Sequence, residues 1–499
     1  MKNSVSARLS ERTAPEVAAA IYAPSLQNFS VAALERMCAL NEAHVVMLER
    51  RKLIATDIAR TLLSAIARIR EEGPGAIDLD PQFEESYFAF ENRLSQIAGK
   101  SVAGWIHIGR SRNDIGSTLD RMQLRDTCLT LLEGMHDAIA AGLDAALRHI
   151  DVIMPGYTHL QPAQPITLGY YFANVASALE RDLARIAAVY DRADCCALGS
   201  AAFAGTSFDI DRHETAELLG FQFIAVPGLD AVASRDFVTE LLWAVTSAQT
   251  LLSRVSQDLY AFSTYEFGAI SFPDSIAGTS SIMPQKKNML PLEYFRAEAG
   301  RSIGALAGAL SAVKGSNFSI GLDSVREGIA DAWPAFERFG VALPLLRLLF
   351  EKASPATERL AERCVANFST ATDLADALVR HHGLSFREAH HVVGHAVQAV
   401  IAKGGDATGL TASVVNDAAE AEVGRRFDLD DDTIRTWMEP RAAVQARRTP
   451  GGPAPEEVER IVKAMRARLE AAAERRRGHS ERLAHAREEL SRRVTQLHA

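Results

Sequence analysis

The chain has 499 residues, of which 47% are hydrophobic and 23% charged, and this balance excludes a protein that is disordered throughout. It carries 54 basic and 63 acidic residues, a net charge of −9, without the basic excess of most nucleic-acid-binding proteins, so we expect no nucleic-acid partner. No run of about 18 apolar residues occurs, the first residues do not resemble a signal peptide, and the five cysteines are mostly scattered. We therefore predict a cytoplasmic protein with no membrane partner.

Helical periodicity dominates the chain and predicts a mainly α fold. Residues 1–110 hold shorter helical patterns, broken at Glu72-Gly-Pro-Gly-Ala76, and are predicted to form an N-terminal helical domain. Residues 111–365 are predicted to form a central domain of long helices. Its long apolar faces lie at about 118–150, 168–190, 237–262 and 292–313. Helices of this length favour a bundle in which they run nearly parallel.

Residues 366–499 return to shorter helices and are predicted to form a small C-terminal helical domain with a charged tail. Ser385 and Glu388 have the spacing of a capping box, and the helix they open is expected to end at Gly404-Gly405. A turn is predicted at Pro450-Gly-Gly-Pro-Ala-Pro455. The Ala/Glu/Arg-rich stretch after this turn is predicted to be a helix pair that is solvated or packs in an oligomer.

Three polar segments interrupt the helical pattern, and the first is Gly109-Arg-Ser-Arg-Asn-Asp114, just before the face that starts near Thr118. Its two guanidinium groups, hydroxyl and amide, beside the free N–H groups of a helix N-terminus, suit the binding of a carboxylate or phosphate. The same residues also suit an elaborate N-cap with solvated arginines. The residues alone leave both interpretations open.

The second polar segment is Gly156-Tyr-Thr-His-Leu-Gln-Pro-Ala-Gln-Pro165, in which the prolines exclude a helix. His159 lies there beside a hydroxyl and two amides. A histidine in such a place can hold an anion or move a proton near neutral pH. A lone histidine is also often purely structural, so this segment by itself is weak evidence for a site.

The third polar segment is Gly278-Thr-Ser-Ser-Ile-Met-Pro-Gln-Lys-Lys-Asn288. A serine near lysines and main-chain N–H groups can lose its proton when a site assembles around it, which makes Ser280 a candidate base. Glu293 follows within the next long helix, where a carboxylate on a mostly apolar face needs a partner. An exposed polar loop without a function is the alternative.

Together, the three polar segments resemble the signature regions of the fumarase/aspartase superfamily of lyases, and most closely its argininosuccinate lyase and δ-crystallin branch. The resemblance covers roughly residues 30–465 and includes Ala371-Thr-Asp-Leu-Ala-Asp376 and Arg447-Arg-Thr-Pro-Gly-Gly-Pro-Ala-Pro455. It implies a three-domain protomer in a homotetramer whose central helices form a twenty-helix bundle, with each active site shared by three subunits. It further implies a small-molecule dicarboxylate substrate, fumarate as product, and no metal or organic cofactor.

The resemblance also implies roles for individual residues. Ser280 matches the general base that removes a proton next to a substrate carboxylate, and Lys286 and Asn288 match the groups that stabilise the resulting anion. His159 matches the active-site histidine, oriented by a glutamate that matches Glu293. The residues that match the family's substrate contacts are Ser111, Arg112, Asn113, Thr158 and Ser281.

The sequence departs from the argininosuccinate lyase pattern where that family holds the arginine half of its substrate. A family tyrosine, glutamine and lysine are replaced by Ile320, Val325 and Gly328, which removes two hydrogen-bonding side chains and a cation. Other departures from the family pattern are Tyr87 for a histidine, Ile108 and Ile115 for a threonine and a glutamine, and Met289 and Leu290 for a proline and an aspartate.

The residues that match the fumarate-releasing half of the family site are thus present, and those that match the arginine-binding half are replaced. We expect a carbon–nitrogen lyase acting on another N-substituted aspartate, an aminopolycarboxylic acid such as ethylenediamine-disuccinate, with Arg326 as a candidate for its distal carboxylates. The alternatives are an argininosuccinate lyase with divergent contacts and a catalytically inactive structural relative. A metal site at His391 and His395 is disfavoured because the glutamate of the zinc-protease motif is missing.

Overall fold

A computed structural model of the protein describes residues 11–27 and 29–498 and is mainly α-helical, as the periodicity predicts. The expectation that the first residues are not a signal peptide concerns a segment that lies largely outside these ranges. The N-terminal helices are α1 (Pro15–Val17), α2 (Ala23–Leu26), α3 (Val31–Arg50), α4 (Thr56–Glu72), α5 (Ser86–Ala98) and α6 (Lys100–Ala103). The central helices are α7 (Arg112–Arg148), α8 (Leu168–Ala193), α9 (Arg212–Leu218), α10 (Gly228–Ala233), α11 (Asp236–Ser263), α12 (Leu290–Val313), α13 (Leu322–Val325), α14 (Ala332–Lys352) and α15 (Thr357–Ala366). The C-terminal helices are α16 (Ala371–His382), α17 (Phe386–Ile401), α18 (Ala412–Val423), α19 (Asp431–Trp437), α20 (Pro440–Ala446) and α21 (Pro455–His498).

Short strands pair two by two between these helices. The strands are β1 (Ile153–Thr158), β2 (Gln161–Thr167), β3 (Cys195–Cys196), β4 (Phe223–Ile224), β5 (Ile270–Ser271), β6 (Gly278–Thr279), β7 (Lys287–Asn288) and β8 (Ser354–Pro355). The pairs β1–β2, β5–β8 and β6–β7 are antiparallel, and β3–β4 is parallel. The second and third polar segments therefore form two β-hairpins, β1–β2 and β6–β7.

Five long helices, α7, α8, α11, α12 and α14, form the body of the molecule and contribute most of its largest buried apolar cluster. The apolar faces predicted from the sequence contribute to this core, which is the arrangement expected of a helix bundle. Separate clusters lie among the N-terminal helices and among the C-terminal helices. The domain boundaries drawn from the sequence stay a prediction.

The long helices alternate in direction, so the bundle has two distinct ends. Gly169, at the start of α8, donates its N–H to His149 O at the end of α7, and Tyr260 near the end of α11 contacts Glu293 at the start of α12. The start of α11 returns to the start of α7, where Arg235 pairs with Asp120. The first polar segment lies at one end of the bundle, and the two hairpins lie at the other.

Most of the long helices agree with the predicted faces, but two predictions were wrong. The helix predicted from about Thr118 begins at Arg112, because Ser111 and Asp114 form a capping box that starts the helix inside the first polar segment. The charged tail is one continuous helix, α21, of 44 residues rather than a helix pair, because it packs against α7 and α8 and against α3 and α4. The capping box of Ser385 and Glu388 is confirmed, and α17 ends at Ile401, just before the predicted stop.

No single helix in the described ranges has the length and apolarity needed to cross a membrane. The bent pair Pro15–Leu26 and Val31–Arg50 meets the length and composition criteria only when its two halves are joined.

Helix α21 lies along α7 and α8 and is held there by arginine–carboxylate pairs. At the innermost of these contacts Arg482 pairs with Asp194, whose other oxygen accepts from Arg125 Nη1 at 3.0 Å. The side chains of Asp194 and Arg125 are 1% and 3% exposed, and Arg125 also donates to Leu219 O and Gly220 O. Asp194 therefore joins the tail to the bundle through a buried, fully paired charge.

We expect Asp194→Ala to destabilise the protein by about 3–5 kcal/mol, because the substitution leaves the buried Arg125 guanidinium without its counter-charge. The measurement is the urea midpoint followed by circular dichroism. Asp151→Ala, at an exposed carboxylate 3.9 Å from Arg441, is the control and should leave the midpoint unchanged. Equal midpoints for the two variants would contradict the structural role of Asp194.

Candidate active site

The first polar segment forms the first turn of α7. Ser111 Oγ accepts from Asn113 N at 3.4 Å, and Asp114 Oδ1 accepts from Ser111 N at 2.8 Å. Asp114 Oδ2 accepts from the N–H groups of Gly199 and Ala201 at 2.8 and 2.9 Å. Burial raises the pKa of Asp114 to about 6, against the lowering effect of these three main-chain donors. The N-cap interpretation of this segment is thus confirmed for Ser111 and Asp114.

Arg112 and Asn113 project from this turn with capacity left for a ligand. Arg112 is exposed, and its Nη1 donates to Glu84 Oε2 at 2.9 Å. Asn113 Nδ2 donates to Ala202 O at 3.0 Å. The first N–H groups of a helix and a guanidinium with unused donors make this turn suitable for an anion.

Both residues line a cavity of about 600 Å³ that one chain forms by itself, a volume within the range of small-molecule sites. Arg326 lines the same cavity, so the structure brings together two arginines that are far apart in sequence. Arg326 Nη2 donates to Ile21 O at 2.7 Å and pairs with Glu327 at 2.8 Å. Ile320 and Val325, which replace polar residues of the family pattern, lie in the cavity wall.

The hairpin β1–β2 carries Thr158 and His159 at its tip, at the other end of the bundle. Thr158 pairs with Gln161, so His159 and Leu160 are the two central residues of the turn, with φ values of 55° and 60°. Such turns favour glycine or asparagine at both positions, so this backbone is strained. Both side chains are exposed, and the His159 ring has no hydrogen-bond partner within the described chain.

The hairpin β6–β7 carries the third polar segment in its loop. Ser280 Oγ accepts from Met283 N at 3.0 Å and from Ile282 N at 3.4 Å. Hydrogen bonds donated to an oxygen favour its ionised form, so both contacts help Ser280 to act as a base. Ser281 in the same loop is exposed, and Asn288 Nδ2 donates to Thr279 O at 3.5 Å.

The two lysines of this loop differ in their environment. Lys287 pairs with Asp274 at 2.8 Å and donates to Phe272 O, so it anchors the loop. Lys286 is exposed and forms no ion pair with any residue in the described ranges. Its ammonium group is therefore available to a ligand, as the resemblance implies.

Glu293 lies at the start of α12, where Tyr260 donates to its Oε1 at 3.1 Å, and this bond raises the pKa of Tyr260. It forms no hydrogen bond or ion pair with His159 within the described chain. The pairing of these two residues that the resemblance implies is therefore not formed inside one subunit.

Residues of the first segment and of the two hairpins are also far apart. Helix α7 has 37 residues and is about 55 Å long, and it separates Arg112 at its start from the hairpin that follows its end. One small ligand cannot contact Arg112 and His159 of the same chain. The predicted site residues thus fall into two groups, one at each end of the bundle.

A buried polar network behind the first segment was missed by the sequence reasoning. Arg110 Nη2 donates to Asn41 Oδ1 at 2.6 Å and to Tyr87 Oη at 2.9 Å, and Tyr87 donates to Glu91 at 2.6 Å. Burial raises the pKa of Tyr87 well above its usual value. Tyr87 stands where the family pattern has a histidine, and the structure shows that it bonds to Arg110 and Glu91 there.

Known protein families match this chain. Residues 10–304 match the family model described as lyase, and residues 368–445 match the C-terminal region of argininosuccinate lyase. The chain is 38% identical to the argininosuccinate lyase of Methanothermobacter thermautotrophicus over 86% of this chain and 92% of that protein. It is 34% identical to argininosuccinate lyase 1 of Shouchella clausii over 91% of both chains.

Among solved structures, EDDS lyase in complex with formate superposes with a TM-score of 0.88 at 32% identity, over 98% of this chain and 96% of that one. A doubly substituted variant of EDDS lyase with bound fumarate gives the same TM-score, identity and coverage. The class II fumarase of Schistosoma mansoni, at 17% identity, has a TM-score of 0.68 over 85% of this chain and 94% of that chain, and shares the fold alone.

We expect Asp114→Asn to lower both the stability and the activity of the protein. The amide places an NH₂ group against main-chain donors that now bind a carboxylate, at a cost of about 1–3 kcal/mol. The measurements are the urea midpoint and the rate of fumarate formation. Glu133→Gln, on an exposed part of the same helix, is the control; equal effects of the two substitutions would contradict the role given to Asp114.

Proposed function

The chain belongs to the fumarase/aspartase superfamily, on its argininosuccinate lyase-like branch, and is a carbon–nitrogen lyase; from this premise we propose that it cleaves an N-substituted aspartate to fumarate and an amine. The reaction is a reversible anti elimination. The observation that carries the proposal is the Ser280 hydroxyl, which accepts two main-chain hydrogen bonds in a loop that also presents Lys286, a lysine without an ion pair in the described chain.

Ser280, after losing its own proton to solvent, removes a proton from the carbon next to a substrate carboxylate. The N–H groups of Ile282 and Met283 stabilise the serine oxygen before the transfer. The carbanion is held as a dianionic aci-carboxylate by Lys286 and Asn288, and donors placed in advance contribute most where charge develops. The C–N bond then breaks, its electron pair goes to nitrogen, and fumarate and the amine are released.

His159 either holds a substrate carboxylate or protonates the leaving nitrogen, since an imidazole titrates near neutral pH. In this proposal Glu293 orients the ring from another subunit. The residues that hold the substrate carboxylates are Ser111, Arg112, Asn113, Thr158 and Ser281. Proton transfer and C–N cleavage proceed between these side chains and the substrate without a metal or an organic cofactor.

The active protein in this proposal is a cytoplasmic homotetramer in which three subunits share each site and a dicarboxylate binds between them. Two observations support active sites that are shared between subunits. The reactive groups lie at opposite ends of a bundle built on a helix of about 55 Å. The long helices also expose large apolar side chains, which the packing of helices from several subunits would cover. These residues are Trp243, Ile303, Leu310 and Val341.

For the amine half we propose an aminopolycarboxylic acid such as ethylenediamine-disuccinate. The similarity to EDDS lyase over 98% of this chain supports it. Arg326 lies in the same cavity as Arg112, where a guanidinium can meet a distal carboxylate. An alternative is argininosuccinate, favoured by the relatives that are 34–39% identical and are argininosuccinate lyases.

Gly328 argues against argininosuccinate. This glycine stands where the argininosuccinate lyase pattern has a lysine, and a Cβ added to it would lie 2.7 Å from Val313 Cγ2 and 2.8 Å from Asp323 O. Any side chain there requires a shift of the backbone. The cation that the family places at this point is thus absent, and the surrounding structure has closed over its position.

We expect the purified protein to release fumarate from ethylenediamine-disuccinate at least about tenfold faster than from argininosuccinate at equal concentration, since the arginine contacts are absent. Fumarate absorbance gives both rates. Faster release from argininosuccinate would overturn the substrate proposal, and complementation of an arginine auxotroph would test that alternative. Release from neither compound, with no addition of amines to fumarate, would favour a non-catalytic structural relative.

We expect Ser280→Ala to lower turnover roughly 10²- to 10⁴-fold, the usual contribution of a general base, with the tetramer unchanged by size-exclusion chromatography. Ser275→Ala, at an exposed serine on the same approach to the loop, should keep the wild-type rate. Loss of assembly in the Ser280 variant would instead assign that serine a structural role.

Ser280→Ala, combined with a His159 variant, also tests whether two chains share one active site. His159→Asn should also cut activity strongly without unfolding the protein. Because His159 and Ser280 are proposed to serve one site from different chains, refolding the two inactive variants together should restore part of the activity. Mixtures that stay as inactive as each variant alone would contradict sharing between these two residues.

A further inference from the structure

The cavity beside Arg112 contains a carboxylate oxygen with no partner in the described chain. Glu85 lies just before α5 and lines this cavity together with Arg112 and Arg326. Its Oε1 is buried and has no hydrogen-bond partner among the described residues. A buried acceptor left unpaired is uncommon, and this one lies beside a cavity large enough for a small ligand.

The other charged side chains of the cavity are neutralised within the chain. These ion pairs are Arg112–Glu84, Arg326–Glu327, Arg36–Asp126 and Arg235–Asp120. Glu85 is thus the carboxylate of the described cavity wall that forms no ion pair. Glu85 therefore gives the cavity an unpaired anion for a cation, in addition to the unused donors of Arg112.

The electrostatics of Glu85 agree with this view. Burial raises its pKa to about 7, against the lowering effects of Arg112 and Arg326, while the nearby carboxylates Glu84 and Glu91 act in the same direction as burial. A bound cation would replace the lost hydration and favour the ionised form. The unliganded site holds a carboxyl group that ionises near neutral pH.

Much of the remaining wall is apolar. The apolar residues that line it are Ile21, Tyr22, Phe29, Leu119, Ile320 and Leu322. Such a wall, beside the Glu85 carboxylate, accommodates a hydrocarbon stem that carries a cation. It therefore suits a cationic amine on a short alkyl chain.

We propose that Glu85 is the specificity-determining residue for the amine half of the substrate and binds the ammonium group of an alkyl amine or diamine. This inference rests on the proposed function, because it assigns one end of the same site. It also gives a reason for the replacements at Ile320, Val325 and Gly328. In place of the polar groups that these positions have lost, Glu85 supplies an anion for the ammonium group, while Arg326 remains for a carboxylate.

The test uses the addition reaction, in which fumarate and ethylenediamine are separate substrates of the full-length protein. Glu85→Gln should raise the KM for ethylenediamine about 10- to 100-fold, the loss expected for a hydrogen bond to a charged group. The KM for fumarate should stay within about twofold. Asp78→Asn, an exposed carboxylate in the same loop outside the cavity, should leave both values unchanged.

The pH profile separates a binding role from a merely structural one. Because the pKa of Glu85 lies at about 7, the wild-type KM for ethylenediamine should fall relative to that of Glu85→Gln as pH rises from about 6 to about 8. The ratio of the wild-type KM to the Glu85→Gln KM is used because titration of the amine affects both values equally. A ratio that stays constant over this range would overturn the assignment.

Two further results keep this proposal distinct from the proposed function. A wild-type protein that neither forms nor cleaves a C–N bond would overturn the proposed function. Calorimetric titration of ethylenediamine into wild type and Glu85→Gln would still test the cavity, and equal affinities would overturn the role of Glu85. If Glu85→Gln does not fold, Glu85→Asp replaces it and should raise the same KM by a smaller factor.

Discussion

The length of helix α7 is the constraint on which the rest of the candidate site depends. A rigid helix of 37 residues keeps the anion-binding turn at its start about 55 Å from the hairpin that follows its end. No rotation of side chains or closing of loops spans that distance. Chemistry that needs both ends must therefore bring them together between chains, so in the proposed mechanism catalysis requires assembly. Stability of the bundle, including its tail bound through Asp194, thus bears directly on the proposed chemistry.

The mainly α fold could be predicted from the sequence because apolar stripes with a helical period persist for many turns at α8, α11 and α12. The sequence left the start of α7 open, because Ser111-Arg-Asn-Asp114 suits an N-cap as well as an anion-binding loop, and its capping bonds show that it begins the helix. The tail was predicted as a helix pair from its charged Ala/Glu/Arg composition, but it is one helix, α21, that packs on α7 and α8. Tertiary contacts decide such cases, and a local pattern does not contain them.

The residue types of the candidate site could likewise be read from the polar segments, but their partners could not. The sequence does not say that Lys287 is engaged by Asp274 while Lys286 forms no ion pair in the described chain. It also gives no signal for Glu85, since a glutamate beside other acidic residues resembles a solvated surface. Burial of its Oε1 and the pairing of the surrounding arginines distinguish it. The roles proposed for Ser280, His159 and Glu293 concern contacts between subunits, which no intrachain pattern specifies.

The turn at His159 and Leu160 has a consequence for attempts to make this protein more robust. Both residues occupy a left-handed conformation that glycine or asparagine adopts with less strain, and both are exposed. A search for substitutions that stabilise the protein by relieving backbone strain at exposed positions would therefore select this turn. Replacing Leu160 relieves one of the two strained positions and keeps the imidazole, whereas replacing His159 removes the one ring that the tip of the hairpin presents. A gain in thermal stability at this turn therefore conflicts with the proposed chemistry at His159 and not at Leu160.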